Sequence, residues 1–153
     1  MIIINITDKL PKNKTKTYGK RPLTNVNSIV VHHFGGNITI EEAAKLHISE
    51  PRNWPGIAYH FVIDKDGKVY QTNELATLSY HCRGNNTKSV GVALRGNYQE
   101  KLPAPEMLKS LEELLHDLQI KLPKAKIYPH RKFVKTACPG DAMALWLEKY
   151  NSK

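Results

Sequence analysis

Only two cysteines, Cys82 and Cys138, occur in the 153 residues, so one disulfide is the most this chain could form. The cross-link density of a small secreted scaffold is thereby excluded, and a reducing compartment fits better. No apolar run approaches the roughly 20 residues a membrane-spanning helix needs, and the opening MIIINITDKL turns polar too soon for a secretory signal. Internal repeats and low-complexity tracts are missing too. Acids are the scarce charge: 14 Asp and Glu stand against 23 Lys and Arg, for a net charge of +9. Such a surface attracts polyanions, whether nucleic acid, lipid headgroups or the phosphate-rich polymers of bacterial walls. The stretch KLPKNKTKTYGKR, from Lys9 to Arg21, has no acid at all and reads as a solvated basic arm.

What remains is ordinary for a folded protein, with 41% hydrophobic and 24% charged residues in a length that suits one domain. The expected organisation is a single catalytic domain over 1–153, with a basic lead-in over 1–27 and a core over 28–150. SIVVHHF is a β-branched run ending in His32 and His33. SVGVALRG is apolar enough for a central strand, and KIYPH can make a last short one. IAYHFVIDKDGKVYQT places two strand-like runs around Asp66-Gly67, a hairpin signal. Thr39 and Glu42 have the spacing of a capping box, which predicts a helix from Ile40 to Ile48. Met107, Leu111, Leu114, Leu115, Leu118 and Leu122 recur at helical spacing behind Pro105, and GDAMALWLEKY predicts a final helix with Trp146 on its apolar side. The fold class is therefore α/β: a mixed central sheet of about five strands flanked by about three helices.

HRKFVKTACPG sets His130 and Cys138 apart across a stretch that is not helical. With His32 they make three ligand-type side chains, the number that holds a catalytic zinc while water takes the fourth position. A structural zinc would want a fourth protein ligand, and no CxxC or second Cys-His pair supplies one. The plainer alternative is a core histidine, a surface histidine and a buried thiol. Alternation along the strand lets only one of His32 and His33 face a metal, without saying which.

Four segments, IVVHHFGG, WPGIAYHFVIDKDGKVYQ, HCRGNNTKSVGVALRGNY and HRKFVKTACPG, resemble in order the signature segments of the type 2 N-acetylmuramoyl-L-alanine amidases. That family includes short phage lysis enzymes and the animal peptidoglycan recognition proteins. The resemblance runs from about Ser28 to about Trp146. It implies one zinc per chain on His32, His130 and Cys138, with His33 a neighbour. It also implies hydrolysis of the amide between N-acetylmuramic acid and L-alanine of peptidoglycan. Tyr59 matches the family tyrosine beside the metal. Thr136 matches a position that is lysine in some phage enzymes, and a neutral hydroxyl should stabilise an oxyanion less than a charge would; Lys135 is the adjacent candidate. His81, Arg83 and Asn86 match a loop along the substrate groove. His60 alternates away from Tyr59 and is expected to be packed.

Three rivals compete with a zinc hydrolase. A cysteine hydrolase would use Cys138 as nucleophile and His130 as base, leaving His32 and Tyr59 without a role. A non-catalytic peptidoglycan-binding module of the same fold would need none of the chemistry. A nucleic-acid binder would use the basic arm, yet no helix reads as a recognition helix and the lysines lack interleaved aromatics apart from Tyr18, so no specific nucleic-acid partner is expected. The resulting expectation is a monomeric phage endolysin acting on bacterial peptidoglycan, with anionic wall polymers as further partners of its basic surface. It would be held in the host cytoplasm until release to the wall.

Overall fold

The computed structural model describes residues 1–153. Its main sheet has six strands, β1 (Ile3–Asn5), β5 (Val69–Gln71), β4 (Phe61–Ile63), β7 (Ser89–Leu94), β3 (Ser28–His33) and β8 (Lys126–Pro129), in that spatial order. All pairs are parallel except the β4/β5 hairpin. A separate two-stranded antiparallel ribbon joins β2 (Gly19–Lys20) to β6 (Thr77–Leu78). The sheet is mixed as expected, with one strand more than the sequence suggests. The extra strand is β1 at the edge: three residues are too few to display a period, and its pairing partner lies far along the chain.

β3 and β7 are central because their apolar runs can be covered on both faces. On one face α2 (Pro105–Lys121) and α3 (Asp141–Asn151) bury Met107, Leu111, Leu114, Leu115, Leu118, Met143 and Leu147 against Ile29, Val31, Ile63, Val92 and Leu94. On the other, α1 (Ile40–Ile48) lays Ile40, Ala43 and Ala44 against Ile57, Val62 and Ala93. Its small side chains permit a close approach. The predicted capping box starts this helix: the Glu42 amide donates to Thr39 Oγ1 at 3.1 Å and the Thr39 amide to Glu42 Oε1 at 3.0 Å. No helix is long and apolar enough to cross a membrane.

The period of two on β3 decides which histidine turns where. Ile29 and Val31 join the larger core, so His33 points to that face and His32 to the α1 face. His33 Nδ1 indeed accepts from the Tyr98 amide at 3.0 Å, and Tyr98 belongs to that larger core.

The basic arm departs from expectation. Lys9, Lys12, Lys14, Lys16 and Lys20 are exposed, but the backbone carrying them is docked. The Asn13 amide donates to the Pro55 carbonyl at 2.9 Å and the Tyr18 hydroxyl to that of Gly56 at 2.8 Å. Arg21 is buried, donating to the carbonyls of Leu75 and Ser89. Composition reports what side chains do in water; it is silent on three anchors among them.

Candidate metal centre

Parallel strands end together, and β3 and β8 both end at one rim of the sheet, where loops carry reactive groups. His32 is the penultimate residue of β3. His130 follows Pro129 at the end of β8 and opens a single 3-10 turn, His130–Lys132. The chain then doubles back to Cys138: the Arg131 amide donates to the Cys138 carbonyl at 3.1 Å, and the Cys138 amide donates to Thr136 Oγ1 at 3.2 Å. Arg131 also ion-pairs with Asp141 at 2.9 Å, tying the loop to the start of α3. The sulfur comes to rest over β3, where the His33 amide donates to it at 3.3 Å.

One ligand atom from each of His32, His130 and Cys138 lies within 4.8 Å of the others. His32 Nδ1 is 3.8 Å from Cys138 Sγ, and the two imidazole centroids are 4.4 Å apart. A tetrahedral zinc with ordinary bond lengths separates its ligand atoms by about 3.3–3.6 Å, so small side-chain movements would close the set. His130 Nδ1 is buried and has no hydrogen-bond partner. A buried ring nitrogen without a partner suits a cation.

Burial dominates the electrostatics. It holds His32 well below its ordinary pKa, helped by His81 and His130, and lowers His130 as well, so both rings are neutral and able to ligate. Burial also raises the Cys138 thiol to about 12 despite the His33 amide. A thiol raised in this way by its surroundings is the opposite of what a nucleophilic cysteine requires.

Tyr59 stands at the site, its ring centroid 5.2 Å from that of His32, stacked on Phe34 at 5.8 Å and edge-on to His47 at 5.6 Å. The bonds that fix its backbone come from Thr72 and Asn73 to its carbonyl. Its hydroxyl is not part of them. Burial, with Cys138 nearby, raises the phenol well above its usual pKa, so it carries its proton. Thr136 is half-buried, with its oxygen engaged by the Cys138 amide, while Lys135 is exposed.

The expected groove loop divides three ways. Arg83 is exposed. Asn86 turns inward to accept from the Cys82 amide at 2.7 Å. His81 is 5% exposed, its nitrogens facing His32 and Ser89, so it lies on the interior side of His32. His60 is fully buried, as expected, between the Gly91 amide and the Thr77 carbonyl. Two contributors had no assignment from sequence: Arg131, adjacent to His130, and His47, whose Nδ1 accepts from the Ala58 amide at 3.0 Å just before Tyr59.

Residues 22–141 match the family described as N-acetylmuramoyl-L-alanine amidase. The chain belongs to that amidase family. Among curated relatives, the N-acetylmuramoyl-L-alanine amidase of Sus scrofa is 34% identical over 98 residues, covering 61% of this chain and 16% of the relative. The chain thus spans less than a fifth of the length of the mammalian amidases it matches. The endolysin of Escherichia phage T7 is closer in size, 30% identical over 118 residues, covering 74% of this chain and 77% of the relative. Among solved structures, the N-acetylmuramoyl-L-alanine amidase LysC from Clostridium intestinale URNW superposes with a TM-score of 0.81 at 27% identity, covering 99% of this chain and 98% of that one. Drosophila peptidoglycan recognition protein SD, at 23% identity and a TM-score of 0.86, shares the fold.

Proposed function

We propose that this member of the amidase family is a zinc-dependent N-acetylmuramoyl-L-alanine amidase that serves as an endolysin. The observation that carries the reading is the convergence of His32, His130 and Cys138 with a partnerless buried nitrogen on His130. These three side chains would hold one zinc. Bound there, the ion would supply Lewis acidity and bring the pKa of a water down to about 7. Hydrolysis breaks the bond between the lactyl carbonyl carbon and the alanine nitrogen. The water oxygen joins the carbon, and the nitrogen leaves as an amine.

The chain's own part is to orient and to donate. Tyr59 keeps its proton at neutral pH and offers it to the oxygen that gains charge on the attacked carbonyl, the role its place beside His32 suits. Thr136 uses its oxygen as an acceptor for the Cys138 amide, which leaves its own proton free to point outward. Through that same bond it shapes the loop that carries the sulfur. Lys135 is solvated and supplies charge only at a distance.

A non-catalytic binding module is favoured by one observation, the close superposition on peptidoglycan recognition proteins, one of them described in complex with tracheal cytotoxin. Digestion of purified cell wall separates the readings when new amino groups and new reducing sugars are both counted. An amidase liberates alanine amino termini and no reducing ends. Neither product, with the protein still sedimenting with the wall, would leave the binding module standing.

A further inference from the structure

His32 has one ring nitrogen toward Cys138 and the other toward the interior. Its Nε2 lies 3.0 Å from Nδ1 of His81. His81 Nε2 lies in turn 3.0 Å from the Ser89 hydroxyl, and that hydroxyl is 2.7 Å from the Asn85 carbonyl. His32, His81 and Ser89 are 2%, 5% and 0% exposed, so water does not compete along this line.

The far end fixes the direction of every bond. A carbonyl only accepts, so Ser89 gives its proton to Asn85 and its oxygen receives one from His81 Nε2. The Ser89 carbonyl, 3.5 Å from the same nitrogen, also calls for a proton there. His81 Nδ1 is then bare and accepts from His32 Nε2. That leaves His32 Nδ1 with a free lone pair aimed at Cys138. The His81 ring has room to approach β7 because position 91 is glycine: an added Cβ there would lie 2.7 Å from its Cγ and Nδ1.

We propose that His81 is a positioning residue for the metal centre: through the Ser89–His81–His32 relay it holds His32 in the tautomer whose Nδ1 can ligate. The proposal rests on the zinc reading above. A neutral imidazole free of such a partner spends part of its time with the proton on the ligating nitrogen. Loss of an outer partner to a ligating histidine typically costs about 10–100-fold in metal affinity.

Two measurements test this. Long-range ¹H–¹⁵N correlation spectra of the metal-free protein should report His32 and His81 both protonated at Nε2; a His32 protonated at Nδ1 overturns the proposal, without reference to zinc or to any variant. Zinc dissociation constants, measured by competition with a chromogenic chelator, should rise about 10–100-fold in His81→Leu. His81→Asn, whose Oδ1 can still accept from His32 Nε2, should stay within about threefold of the parent. Equal affinity in the parent and His81→Leu overturns the relay while the zinc reading survives. A merely space-filling ring predicts that outcome together with a lowered melting temperature of the metal-free variant. Absence of zinc binding by the parent protein itself would instead remove the reading on which the proposal rests.

Discussion

Tyr59 is the side chain whose role is most separable from its packing. Its ring is held by Phe34 and His47, and no protein bond depends on its hydroxyl. Tyr59→Phe is therefore expected to keep the fold and the zinc while lowering kcat by roughly 10²-fold, the usual cost of removing one oxyanion donor. A variant with unchanged kcat on a soluble muramoyl peptide would show that the phenol takes no part. The residues around it were unevenly legible. His32, His130 and Cys138 stood out as ligand types, and strand parity, once β3 is anchored by Ile29 and Val31 in the larger core, explains why His32 and not His33 turns to the site. For His81 the sequence offers only the resemblance to a groove loop, and it is the approach of β3 from 49 residues away that makes it a partner of His32.

Among the elements, α1 and the β4/β5 hairpin carried local signals that tertiary packing reinforces: a reciprocal cap, and Gly67 at φ 87° in a turn closed by the Gly67 amide on the Asp64 carbonyl. β1 carried none, since an edge strand of three residues has meaning only beside β5. The packing of α1 and β4 has a consequence for pH. His47, at the end of α1, and His60, entering β4, are both pushed down to about 4 by burial. Each uses Nδ1 to accept a backbone amide, from Ala58 and Gly91, and a proton on that nitrogen abolishes the bond. In the unfolded chain these rings titrate near 6.5, so between that value and about 4 the unfolded state binds more protons than the folded one. Stability is then complete above about pH 6.5 and declines as pH falls toward 4, by on the order of 3 kcal/mol for His60 alone. His32 and His81 act with the same sign. Urea midpoints of the metal-free protein should fall steadily over this window. A midpoint constant from pH 7 to pH 4.5 would contradict the assignment of these rings as buried and neutral.

The whole molecule separates stability from chemistry. The large core under α2 and α3 lies on one face of the sheet, while His32 and Tyr59 belong to the α1 side and the strand ends. Most of the charges behind its net +9 lie at the surface, to which the five exposed lysines of the docked arm contribute. Polyanionic wall polymers would be drawn to it at long range, whereas a small soluble muramoyl peptide would gain little. Raising salt from about 0.1 M to about 1 M shortens the screening length from about 10 Å to about 3 Å, and it should slow clearing of whole walls several-fold more than cleavage of the soluble peptide. Equal slowing of both would mean that the basic surface does not assist encounter.

Titration of zinc into the metal-free protein, following release of peptide with an N-terminal alanine from a muramoyl peptide, joins the geometry of the three side chains to the reaction. Activity should be absent without metal, rise linearly, and level off at one zinc per chain; His130→Ala should remain inactive throughout. Cleavage at full rate by the metal-free protein, or a plateau at some other stoichiometry, would contradict a single zinc on His32, His130 and Cys138 as the source of the activity.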